Sequence, residues 1–205
     1  MLLGVFALQA HAQTPKGIRF KAAYQINFLS GVNDLPTFSR DGGPVYVVGY
    51  MPSMGTGVSV GWSFDRVYVD ASYTVNYGIT LVEDRCYNQK FDHVLSLNMG
   101  ASLWRSEAIS LDCLLGVGWA VSGFYWINQR LDYSSLLTAY SLVLPVSGVV
   151  WFGDTRSEHG RLGVSVEYMV PIASLNHVRR MGYGGKDGGG GIFPSTLGVG
   201  VRYQF

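Results

Sequence analysis

The sequence is short of charge, of cysteine and of long hydrophobic runs, and each shortage removes a class of protein. Only 14% of the 205 residues are Asp, Glu, Lys or Arg, against roughly 25% in soluble domains. The 15 basic and 14 acidic residues nearly cancel, leaving +1, so no long-range field draws nucleic acid or another polyanion. The 2 cysteines, Cys86 and Cys113, make no disulfide framework, and neither has a His or Cys neighbour at metal-ligand spacing. No run of about 18 apolar residues occurs, which excludes a membrane-spanning helix. Catalytic signatures are missing too: there is no G-x-S-x-G, no H-E-x-x-H and no phosphate loop. The glycine-rich run from Gly182 to Gly191 lacks the Gly-Lys-Ser/Thr ending of such a loop. No cofactor is implied.

What is present is apolar: 48% of the residues are hydrophobic and the mean hydropathy is positive. A chain this apolar without membrane helices has one good physical solution. In hydrocarbon every backbone donor and acceptor must be paired, and besides the helix only a closed β-barrel achieves that. The 27 glycines and 13 tyrosines suit a barrel, which uses Gly at bends and aromatics at the membrane interfaces.

Period-two alternation carries the same conclusion through the chain. Phe20, Ala22, Tyr24, Ile26 and Phe28 alternate with Lys21, Ala23, Gln25 and Asn27. Val58 to Phe64, Val67 to Tyr77, Leu95 to Leu103, Ile109 to Trp119, Leu162 to Ile172 and Leu197 to Phe205 repeat the pattern. Leu142 to Phe152, apolar on both faces and holding Pro145, reads as a weaker strand. The total is eight strands, each with a segment of about ten residues, enough to cross a bilayer at a tilt.

Short connections at Asp65-Arg66, Arg105 to Ala108 and Gly153 to Gly160 alternate with long ones at 30–43, 78–90, 123–141 and 175–191. Short periplasmic turns and long outer loops produce that order, and it places both termini in the periplasm. One phase change interrupts the pattern. From Val45 to Met51 the apolar set falls on odd numbers, and after Pro52 to Gly55 on even ones. A bulge at the proline accounts for the switch; a separate outer hairpin, giving ten strands, is the alternative. At the N-terminus, apolar Leu2 to Leu8 followed by Ala10-His11-Ala12 has the form of a signal peptide over 1–12, leaving a barrel domain of 13–205.

The ending Gly200-Val201-Arg202-Tyr203-Gln204-Phe205 resembles the signal that outer-membrane barrels present to their assembly machinery, with Gly200, Tyr203 and Phe205 as its key positions. It departs from that pattern at Gly198, where a polar residue is usual. With its leader and strands, the chain resembles the small eight-stranded barrel superfamily of the outer-membrane protein A transmembrane domain and the outer-membrane protein X group. The resemblance implies an all-β, antiparallel up-and-down barrel in the outer membrane of a Gram-negative cell. It also implies contacts with outer-membrane lipid, lipopolysaccharide and the barrel assembly machinery.

Inside such a barrel the lumen is just wide enough for side chains to fill it. The inward set includes Lys21, Asp70, Asp112, Glu167 and Arg202, and buried charges persist when paired. An ion-pair network is therefore expected, with Arg202 meeting Glu167 and Lys21 near Asp70 or Asp112. The network reads as a polar plug, with a gated narrow channel as the alternative. A lipid-modifying enzyme is a further alternative, but His93 and Ser96 are three apart, which puts them on opposite faces of a strand. His159 and His177 fall in a turn and a loop without an adjacent nucleophile and acid. In the outer loops Tyr125, Trp126, Tyr133, Arg179 and Arg180 are candidates for binding an external partner. Trp62, Phe64, Phe152, Tyr203 and Phe205 are assigned to a periplasmic aromatic belt, and Phe28, Tyr77 and Tyr168 to an outer one.

Overall fold

A computed structural model describes residues 17–30, 35–38, 44–47, 53–83, 86–128, 133–153, 160–181 and 195–205. They form β1 (Gly17–Ser30), β2 (Leu35–Phe38), β3 (Pro44–Val47), β4 (Ser53–Phe64), β5 (Val67–Glu83), β6 (Cys86–Arg105), β7 (Ile109–Asn128), β8 (Tyr133–Phe152), β9 (Arg161–Met181) and β10 (Ser195–Gln204). Eight of them close into a barrel in the order β1-β10-β9-β8-β7-β6-β5-β4, each pairing antiparallel with its neighbours. The proposed leader, His159 and the run Gly182–Gly191 lie outside the described residues.

The alternation sorts the side chains as a membrane requires. Outward positions carry Leu95, Leu97, Met99, Val117, Val164 and their like, with Leu97 66% exposed. Inward positions carry Lys21, Asp70, Asp112, Arg161 and serines, with Lys21 7% exposed. In water so wide an apolar surface would aggregate; against lipid it is the solvated face.

β2 and β3 form a two-stranded sheet of their own, in register Leu35↔Val47 to Phe38↔Pro44. This corrects the bulge expected at Pro52. Val45 belongs to the separate hairpin and Met54 to barrel strand β4, so the phase change marks two different strands. Among the described residues the strand total is therefore ten, with eight in the barrel.

A second correction concerns the loops. β6, β7 and β8 run for 20 residues each and β9 for 21, so most of the segments 78–90 and 123–141, and the described part of 175–191 up to Met181, are ladder rather than loop. Only residues 84–85 separate β5 from β6, and 129–132 separate β7 from β8. Long loops therefore do not alternate strictly with short turns. In these extensions the apolar alternation that marks a lipid-facing strand fades while the hydrogen-bonded ladder continues.

Two bulges shift the inside–outside phase. The β6–β7 register slips between Ser102 and Trp104, leaving Leu103 and Trp104 both exposed and turning Arg105 inward. The β8–β9 register slips between Leu142 and Val143, after which Ser174 meets Ser141 at 3.0 Å. Pro145 is one of two β8 residues, with Leu144, that fall in a gap of the β7–β8 pairing. With no N–H to give, it interrupts a ladder that its other neighbours complete. Asp65 takes a left-handed φ of 68° in the two-residue β4–β5 turn, a conformation Asp tolerates better than most residues.

Candidate functional site in the barrel interior

The interior is a stack of polar and apolar side chains rather than an open pore. Lys21 Nζ lies 2.7 Å from Asp70 Oδ2 and 4.1 Å from the centroid of the Tyr68 ring. Asn98 Nδ2 donates to Asp70 Oδ1 at 2.8 Å and to Ser72 Oγ at 3.0 Å, and Ser72 meets Ser96 at 2.7 Å. Across the lumen Arg202 Nη2 donates to Glu167 Oε2 at 2.6 Å. Between these two ion pairs a cavity of about 50 Å³ remains, bordered by Lys21, Asp70, Asn98, Glu167, Met169 and Arg202. That is room for a few waters and for nothing larger.

Toward the end away from the Asp65-Arg66 turn, Val94, Ala120, Val143 and Met169 form a buried apolar layer. Beside it Asn27 Nδ2 donates to Asn76 Oδ1 at 2.7 Å. Lys90 and Asp92 make a further buried ion pair at 2.8 Å.

Toward the turn end, Tyr68, Leu114, Val149 and Trp151 form a second buried cluster. Two glycines make room for its rings. A Cβ on Gly163 would stand 2.7 Å from Trp151, and one on Gly100 would collide with the Tyr68 ring. Trp151 Nε1 donates to Asp112 Oδ2 at 2.9 Å, and Ser102 Oγ donates to Asp112 Oδ1. Around this cluster stand Arg19, Arg105 and Arg161, none more than 6% exposed. Arg161 lies over Trp151 at 5.2 Å and donates to Ser110 at 3.1 Å and Gln204 at 3.2 Å. Arg105 Nη2 donates to the Asp65 carbonyl at 2.8 Å.

The five charges singled out in the sequence fall into three places. Lys21 joins Asp70, Arg202 joins Glu167, and Asp112 belongs to the lower cluster with Ser102 and Trp151. Sequence reasoning missed Arg19, Arg105, Arg161, Tyr68, Trp151 and Lys90. Arg19 shares the parity of Lys21, and Arg161 that of Gly163 and Ser165, so extending the alternation by one residue finds both. Arg105 has outward parity and is turned in by the bulge, which no alternation reveals.

The candidate binding residues are not in loops. Tyr125 and Trp126 lie in β7, Tyr133 in β8, and Arg179 and Arg180 in β9, as does His177. The ladder places Tyr125 and Arg179 on either side of Leu136, and Trp126 and Arg180 on either side of Ser135. His93 faces outward, bonded through Nδ1 to the Tyr73 hydroxyl at 2.7 Å, while Ser96 faces inward and is buried. Among the described residues no group of three or more His, Cys, Asp or Glu is placed to hold a metal. At the C-terminus Gly200 is buried, and the Tyr203 and Phe205 rings meet edge-on at 4.9 Å on the outer face. The Phe205 N–H donates to the Phe20 carbonyl at 2.9 Å.

A closed antiparallel barrel with an apolar exterior and buried interior charges defines a transmembrane β-barrel of the small outer-membrane type. No family model matches the chain, and no curated protein sequence matches it. Solved structures do. Neisserial surface protein A is similar over 93% of this chain and 99% of its own, with a TM-score of 0.56 at 12% identity. The outer-membrane protein OprG from Pseudomonas aeruginosa is similar over 94% of this chain and 98% of its own, with a TM-score of 0.56 at 14% identity. A major outer-membrane protein from Thermus thermophilus is similar over 92% and 100%, with a TM-score of 0.55 at 9% identity. At these identities the likeness is one of fold.

Proposed function

We propose that the protein is a non-enzymatic, non-conducting barrel of a Gram-negative outer membrane. Both termini face the periplasm, and the tall β5–β9 wall serves outside as a binding surface. The observation that carries this reading is the filled lumen. A buried ion pair and a part-buried one flank a cavity of about 50 Å³, and the apolar layer of Val94, Ala120, Val143 and Met169 stands above it. An apolar constriction resists wetting, and ions do not cross dry segments. The orientation rests on the shortness of the Asp65-Arg66 and Ser106–Ala108 connections, at the end where Gly17 and Phe205 also lie. Its partners in this reading are outer-membrane lipid, lipopolysaccharide and, through Gly200, Tyr203 and Phe205, the barrel assembly machinery. The outer ligand engages the strand extensions that carry Tyr125, Trp126, Tyr133, Arg179 and Arg180.

The test is conductance of the purified full chain in planar bilayers. The wild type is expected to show no discrete openings. Steady single-channel currents from the wild type would refute the plug.

A further inference from the structure

The lower cluster is not balanced in charge. Arg19, Arg105 and Arg161 are all buried, and the buried acid among them is Asp112, whose two oxygens already accept from Ser102 and Trp151. Arg105 is answered by Asp65 at 3.7 Å and by its carbonyl. Arg19 and Arg161 form no ion pair among the described residues. Arg161 satisfies itself on the neutral acceptors Ser110 and Gln204. Arg19 Nη2 is buried and meets no hydrogen-bond acceptor among the described residues, its guanidinium lying 5.9 Å from the Tyr68 ring centroid. Arg161 and Arg105 repel it, and Asp112 offsets them in part. A guanidinium withdrawn from water with no acceptor and like charges beside it is costly, and an anion removes the whole cost at once.

We propose that the turn-end mouth of the barrel binds one small oxyanion, of the phosphate or sulfate class, between Arg19 and Arg161. Planar guanidinium forks match the oxygen edges of a tetrahedral oxyanion, whereas a spherical halide satisfies one N–H direction at a time. The Tyr68 and Trp151 rings hold the two guanidiniums by their faces, leaving the N–H edges to the anion. Arg19 and Arg161 have inward parity and are at most 6% exposed, so the proposed ligand is a free anion and not the phosphate of a lipid anchored in the bilayer, and its entry needs the side chains at the mouth to shift.

The experiment uses the full chain folded in maltoside micelles, which carry no phosphate. Its thermal unfolding is followed with inorganic phosphate and with sodium chloride at equal ionic strength, and ³¹P line width reports binding directly. Phosphate is expected to raise the midpoint and broaden the line, chloride to do neither. Arg19→Gln and Arg161→Gln should each weaken phosphate at least about tenfold, while Tyr77→Phe, on the outward face of β5, leaves it unchanged. Should either lumen variant fail to fold, the wild-type ³¹P signal still decides. An unbroadened line overturns the proposal, as does equal phosphate binding by wild type and the folded Arg19→Gln protein. If phosphate-headed lipid added to the micelle reproduces the shift without free phosphate, the lumen site is likewise refuted.

Discussion

Replacing Asp70 by Asn tests most directly how the interior is held together. Lys21 and Asp70 side chains are 6% and 3% exposed, with Nζ 2.7 Å from Oδ2. Asp70→Asn keeps the shape and an acceptor for Asn98, yet leaves an ammonium buried against the Tyr68 ring without a counter-charge. Breaking a buried pair from one side costs about 3–5 kcal/mol, or roughly two to four orders of magnitude in the folding equilibrium. Lys21→Met strands the carboxylate instead, so its cost falls in the same range. The double variant removes both charges, and it should lie within about 2 kcal/mol of wild type because exchanging a buried pair for neutral groups is often nearly neutral. The coupling in the cycle is then several kcal/mol, well beyond the few tenths seen between independent sites. Equilibrium urea unfolding in lipid vesicles, read by tryptophan fluorescence, supplies all four corners. The reasoning fails if either single variant stays within about 1 kcal/mol of wild type, or if the two losses simply add.

Three further outcomes follow from the same geometry. Leu97→Arg, on the lipid face, should destabilise the barrel by about 2–4 kcal/mol at the bilayer midplane, measured by the same unfolding; a neutral result would mean that this face meets water. Trp151→Phe keeps most of the packing but strips Asp112 of its indole donor, for an expected loss of about 1–3 kcal/mol. Parity with wild type would show that the 2.9 Å contact contributes nothing. Gly100→Ala drives a methyl into the Tyr68 ring and should cost about 1–3 kcal/mol, with Tyr68→Ala in the same chain relieving the clash; no relief would locate the strain elsewhere.

The parts legible in the sequence are those in which one face meets lipid. Along β5, Val67 to Tyr77 alternates with Tyr68 to Asn76 because hydrocarbon lies on one side and a polar lumen on the other. That contrast locates all eight barrel strands and the inward set of Lys21, Asp70, Asp112, Glu167 and Arg202. It vanishes in two circumstances. Beyond the lipid-facing band, at Thr138 or Asn176, the apolar alternation gives out while the strands stay paired, so ladder reads as loop. At a bulge the phase itself changes: Arg105 follows Leu103 and Trp104, both outward, and strict alternation assigns it to the wrong face. The β2–β3 hairpin is the alternative reading rather than the first, for a related reason. Val45 and Met54 read as one strand with a defect, because parity cannot tell a bulge from a second element. Pairing partners are less legible still, since parity says that Asp112 points inward but not that Trp151 and Ser102 reach it before any cation does.

The lengths of the strands bear on purpose. A tilted strand of about 9–11 residues already spans the hydrocarbon, and the 10 residues of β10, Ser195–Gln204, match that length. β9, its hydrogen-bonded neighbour, has 21 residues, and β6 to β8 are almost as long. Anchoring needs none of that excess. At roughly 3.3 Å of rise per residue, about ten further residues add about 33 Å of strand beyond a spanning length. Ladder of that extent is rigid where a loop of equal length would be mobile, so residues such as Tyr125 and Arg179 are held at fixed separation across paired strands. Rigid presentation lowers the ordering entropy lost when a partner binds, which is the advantage a displayed binding surface needs and a passive plug does not. Grafting the 123–141 hairpin onto another eight-stranded barrel separates the two roles. Transfer of binding to an external partner would assign it to the wall, and retention by the parent barrel after the hairpin is cut back to the membrane level would contradict that assignment.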